Sequence, residues 1–112
     1  MHVGEKIIGE VAILSIKGEI LDAEDDSTFQ RKIISLVVDG VRKVVVDLGK
    51  VKQLNSRSLS AFISAIKTMH NSSGEIRFAG IDRHLHDIFV ETKFIQLFPT
   101  YETVGRAVAS FS

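Results

Sequence analysis

No cysteine occurs in the 112 residues, which excludes a disulfide framework and a thiolate zinc site. No charge of one sign is in excess either: fourteen Lys and Arg balance fourteen Asp and Glu. Nucleic-acid binders ordinarily carry a basic surplus that displaces counterions from phosphates, so nucleic acid is not an expected partner. No apolar run reaches the roughly twenty residues of a membrane-spanning helix. The opening MHVGEKIIGE lacks the apolar core of a signal peptide. A soluble, cytoplasmic protein is expected, with no direct membrane insertion. Neither a phosphate-cradling G-x-x-x-x-G-K-S/T loop nor a G-x-S-x-G elbow is present, and nothing else assembles a catalytic set. An enzyme is not expected, nor is a cofactor. There is no internal repeat, low-complexity tract or long linker. With 45% hydrophobic and 25% charged residues, the composition is that of a folded globular chain. A chain of this size buries about two thirds of its unfolded surface without metal or disulfides, so one domain over 1–112 is predicted.

What is there is organised around residues 44–66, VVVDLGKVKQLNSRSLSAFISAI. Val44, Val45 and Val46 follow one another without alternation, the pattern of a strand covered on both faces in a parallel sheet. The run stops at Asp47. After a polar loop, Leu59, Phe62, Ile63, Ile66 and Met69 recur at helical spacing. Asn55 suits the N-cap, because its side-chain oxygen can accept a free amide in the first turn. Ser56 then falls in that first turn, at the end of the sheet where α/β proteins place working residues.

Around this centre, residues 3–8 and 11–18 read as two strands joined at Gly9-Glu10. Asp22, Glu24, Asp25 and Asp26 crowd the start of a helix, where acidic groups suit the positive dipole end. Phe29, Ile33, Leu36 and Val37 form its buried stripe, and Asp39-Gly40 ends it. The central strand spans 42–48 and the second helix runs to about His70. Asn71 to Gly74 is a loop, and Ile76 to Ala79 a further strand closed by Gly80. Asp82 caps a third helix with Leu85, Ile88 and Phe89 inward. Phe94 to Phe98 is apolar enough to be buried as either strand or helix, and Pro99 breaks it. A last helix is predicted from about Thr100, with Val104, Ala107, Val108 and Phe111 on its inner face. The order is β-β-α-β-α-β-α-(β)-α. It implies an α/β fold: a mixed four- to five-stranded sheet with an antiparallel N-terminal hairpin, packed against about four helices.

The cluster Asn55-Ser56-Arg57-Ser58 has two readings. The plain one is a helix start built from small polar residues. The functional one is an exposed hydroxyl at Ser56, with Ser58 as second candidate, open to phosphorylation. A phosphate adds roughly −1.5 to −2 charges, which a helix N-terminus tolerates and an acidic or closely packed partner does not. Lys50, Lys52 and Arg57 make the loop basic; they are either solvated side chains or an anion-binding group. His84 and His86 are two apart, so on a helix they cannot share an ion, and no metal site is expected. Asp22 and Asp47 could be neighbours at one sheet end, though such carboxylates more often cap helices or fix loops.

VVVDLGKVKQLNSRSL resembles the signature of STAS domains (sulfate transporter and anti-sigma factor antagonist): a strand ending in D-L-S, a hydrophobic residue, then D-S-S-G-L. Gly18-Glu19-Ile20-Leu21-Asp22 is similar to the family's G-x-L-D with one residue added, and Leu97-Phe98 with the Thr103 to Ala107 helix resembles its tail. In the family's bacterial antagonists the first serine of D-S-S is phosphorylated by an anti-sigma factor that is also a kinase. The resemblance therefore implies phosphorylation of Ser56, and a binding face of Asp22, Ala23, Asn55, Ser56, Arg57 and Ser58 against an anti-sigma factor with serine kinase activity. It implies control of sigma-factor-dependent transcription, with the chain a monomer or weak homodimer. Stand-alone family members also serve as cytoplasmic subunits of lipid ABC transporters, which is one alternative; a STAS-type ligand or nucleotide sensor using the basic loop at Lys50, Lys52 and Arg57 is another. Three positions depart from the pattern: Asn55 replaces Asp, Arg57 replaces the second Ser, and Ser58 replaces Gly.

Overall fold

The computed structural model describes residues 1–112. The chain runs β1 (His2–Ile8), β2 (Val11–Lys17), α1 (Ala23–Val38), β3 (Lys43–Lys50), α2 (Ser56–Asn71), β4 (Glu75–Ala79), α3 (Arg83–Glu91), a 3₁₀ turn (Phe94–Gln96) and α4 (Val104–Ala109). The four strands lie side by side in chain order. β1 and β2 are an antiparallel hairpin, while β2–β3 and β3–β4 pair in parallel. Each parallel connection carries a helix, as the geometry of a crossover demands.

The side chains of β2, β3 and β4 sort by the two-residue period of a strand. Ala12, Leu14, Ile16, Val44, Val46, Leu48, Ile76 and Phe78 face one way, into a core shared with Phe29 and Ile33 of α1, Phe62 and Met69 of α2, and Leu85 and Phe89 of α3. Val11, Ile13, Val45 and Ala79 face the other way, beneath Ala107 of α4. The unbroken valine run is thus explained: all three are fully buried, on alternate sides. α1 and α2 are further joined by Gln30, whose Nε2 donates to the Ala61 carbonyl at 2.9 Å.

In the C-terminal quarter one open reading is decided and one expectation needs correction. Phe94 to Phe98 take the helical form and not the strand. Lys93, at φ 63°, turns the chain out of α3, and the amides of Leu97 and Phe98 both donate to the Phe94 carbonyl. Phe98 is then buried against Phe62, Phe78, Phe89 and Phe94, with the Phe94 ring stacked 5.6 Å away. The last helix starts at Val104, capped by Thr103, rather than near Thr100. Residues 99–101 instead run along β4, where Phe78 N donates to Pro99 O and Tyr101 N to Phe78 O. The free edge of β4 needs partners for its amide and carbonyl, and this segment supplies them.

Candidate functional site

The C-terminal ends of β2, β3 and β4 define one rim of the sheet, and α1, α2 and α3 all begin there. Each start has the residue its geometry requires. Asp22, Asn55 and Asp82 adopt extended backbone, and their side chains accept the amides of Asp25, Ser58 and Leu85 respectively. At α1 the arrangement is reciprocal: Asp25 N donates to Asp22 Oδ1 at 2.9 Å, and Leu21 N to Asp25 Oδ2 at 3.0 Å.

Asn55 does more than cap. Its Oδ1 accepts Ser58 N at 2.8 Å while its Nδ2 donates to the Ile20 carbonyl at 3.0 Å. One side chain therefore fastens the start of α2 to the segment leading into α1. Ile20 is buried, so this segment is anchored from below as well.

Ser56 is the first residue of α2 and is exposed, as is Arg57. In a helical first turn the amides of these positions have no carbonyl to bond, so the mouth of α2 is electropositive. Ser58 is different: it is 2% exposed, turned under the helix onto the stripe of Ala61, Phe62 and Ala65. Asp22 and Ala23 are exposed at the start of α1. The structure thus brings Asp22, Ala23, Asn55, Ser56 and Arg57 to one rim, with Ser58 beneath them.

Lys50 ends β3 and Lys52 follows in the loop, both exposed. The two roomiest clefts, about 420 and 380 Å³, are lined by other residues, among them Arg83, His86 and Tyr101 in the first and Glu10, Asp39 and Arg42 in the second. Asp47 does not meet Asp22. Its Oδ1 accepts Gly49 N at 2.9 Å and its Oδ2 the Ser15 hydroxyl at 3.4 Å, fixing the end of β3 where its register with β2 shifts. His84 and His86 lie on α3.

Two features of this rim escape sequence reasoning. Leu21 stands 67% exposed between buried Ile20 and the cap Asp22. Gly80, at φ 73°, touches the end of β3 so closely that an added Cβ would lie 2.5 Å from Gly49 N and 2.7 Å from Asp47 Oδ1. The pair Gly49 and Gly80 thereby holds the end of β3 against the turn after β4.

Comparison with known proteins gives a consistent answer. Residues 5–107 match the STAS domain family. BtrV of Bordetella bronchiseptica, provisionally named an anti-sigma factor antagonist, is 24% identical over 107 residues, covering 96% of this chain and 90% of that protein. The fold is similar to that of an anti-sigma factor antagonist from Mycobacterium paratuberculosis (TM-score 0.81, 21% identity, 97% of this chain and 92% of that one). It is also similar to the Bacillus cell fate determinant SpoIIAA in its phosphorylated form (TM-score 0.73, 12% identity, 99% of this chain and all of the other).

Proposed function

Because the chain belongs to the STAS domain family, we propose that it is an anti-sigma factor antagonist working by partner switching. In this reading the rim carrying Asp22, Ala23, Asn55, Ser56 and Arg57 docks on an anti-sigma factor that is also a serine kinase. Docking releases a sigma factor to RNA polymerase. The kinase then transfers the γ-phosphoryl group of ATP to Ser56 Oγ, releasing ADP and the hydroxyl proton. The product carries roughly −1.5 to −2 charges at the site.

The observation that carries the reading is the position of Ser56: exposed, in the first turn of α2, beside the start of α1. Added negative charge there meets the positive end of the helix and leaves the fold in place. A partner packed against the same rim must desolvate that charge, and is expelled. Such an asymmetry between fold and complex is what a reversible switch needs. The name of BtrV and the phosphorylated state of SpoIIAA favour the same reading. The burial of Ser58, 2% exposed, favours Ser56 over it as the acceptor.

The test is incubation with the anti-sigma factor encoded in the same genome and with ATP, followed by mapping of phosphate by mass spectrometry. One phosphate at Ser56, lost in Ser56→Ala, is expected. No phosphate, together with unchanged partner affinity in Ser56→Asp, would remove the switch. Capture of a transporter ATPase in place of an anti-sigma factor would move the docking rim to another assembly.

A further inference from the structure

A single exposed apolar side chain needs no explanation, and Ile34 and Val38 on α1 are of that ordinary kind. What distinguishes Leu21 is how firmly it is held. Its amide donates to Asp25 Oδ2 at 3.0 Å, and the carbonyl before it accepts Asn55 Nδ2 at 3.0 Å. Ile20 on one side is buried in the core, and Asp22 on the other caps α1. The backbone is thus fixed on both sides of a side chain that is 67% exposed.

We propose that Leu21 is the apolar anchor of the docking rim, entering a hydrophobic pocket on the anti-sigma factor. The inference rests on the function proposed above. The surrounding charges describe that pocket's border. Asp22 and Glu24 lie exposed on the α1 side, and Lys50, Lys52 and Arg57 on the α2 side. None of the five takes part in an ion pair within the chain. The partner therefore presents an apolar pocket with basic groups facing α1 and acidic groups facing the loop before α2. An anchor whose backbone is already fixed loses little conformational freedom on docking, so burial of the leucine appears in the affinity.

The experiment compares Leu21→Ala and the near-isosteric Leu21→Gln with Ile34→Ala, an exposed apolar position on the outer face of α1. Binding to the anti-sigma factor is measured by calorimetry, and folding by thermal melts. Both Leu21 variants are expected to melt like the unsubstituted chain and to bind about tenfold or more weaker, with Ile34→Ala unchanged. If either Leu21 variant melts normally and binds as tightly as the parent while Ser56→Asp still weakens binding, the anchor is wrong and the docking rim stands. If the parent chain does not bind the anti-sigma factor at all, the proposed function falls and the anchor falls with it.

Discussion

Asn55 holds the Ile20 carbonyl at 3.0 Å through Nδ2 while its Oδ1 accepts the Ser58 amide at 2.8 Å. The family pattern has Asp at this position, and a carboxylate can only accept. Asn55→Asp would keep the cap and gain about 0.3–1 kcal/mol from the helix dipole. It would also lose the donor to Ile20 and set two acceptors against each other, at about 1–3 kcal/mol. The loss is the larger effect. Asn55→Asp is therefore expected to be less stable by about 1 kcal/mol or more, read from the midpoint of urea unfolding. An unchanged midpoint would show that the Ile20 bond contributes nothing.

Ser56→Asp makes the opposite case. A carboxylate at the exposed first position of α2 lies at the positive end of the helix, and the dipole favours it by about 0.3–1 kcal/mol at low salt. The melting temperature is expected to hold or rise slightly, with the gain shrinking as salt is added. If the proposed function holds, affinity for an anti-sigma factor should fall about tenfold or more, an effect of about 1.4 kcal/mol. A fall in melting temperature of several degrees would show that the hydroxyl is not as free as its exposure implies.

Gly80 and Gly9 separate two reasons for glycine. Both have positive φ, but a Cβ at Gly9 meets nothing within 4 Å, whereas at Gly80 it meets the Gly49 backbone at 2.5 Å. Gly9→Ala is expected to lose only the conformational term of about 1 kcal/mol. Gly80→Ala adds displacement of the end of β3, and should lose about twice that or more. Equal losses in thermal melts of the two variants would mean that the Gly49–Gly80 contact is slack.

Phe98 is buried among four phenylalanines, while its neighbour Leu97 is 55% exposed. Phe98→Ala is expected to cost about 3–5 kcal/mol, a large share of a typical folding stability of about 5–15 kcal/mol. Leu97→Ala should stay within about 0.5 kcal/mol. Denaturant titration of the two variants checks the contrast.

The parts legible in the sequence are those governed by short-range rules. Val44 to Val46 read correctly as a strand buried on both sides, and Asp22, Asn55 and Asp82 read correctly as helix starts, because capping chemistry is local. Phe94 to Phe98 stay undecided between strand and helix, since four apolar residues around Gln96 carry no period that separates the two. The extended stretch at 99–101 exists only because β4 has an unpaired edge, a long-range fact. Ser58 is readable in principle. It stands three, four and seven residues before Ala61, Phe62 and Ala65, on the inward stripe of α2, and its polar character hides that. Leu21 is not readable, for Ile20 and Leu21 are adjacent apolar residues in an irregular segment, and nothing local says which one turns inward. The second bond of Asn55 is likewise invisible, because Ile20 lies 35 residues away.

The parallel order of β2, β3 and β4 puts the starts of α1, α2 and α3 on one rim, and it consigns the turns at Gly9-Glu10, Asp39-Gly40 and Ser73-Gly74 to the opposite one. Those far turns are where a fluorophore, an affinity handle or a surface tether belongs. A chain immobilised there presents the rim of helix starts outward in a uniform orientation.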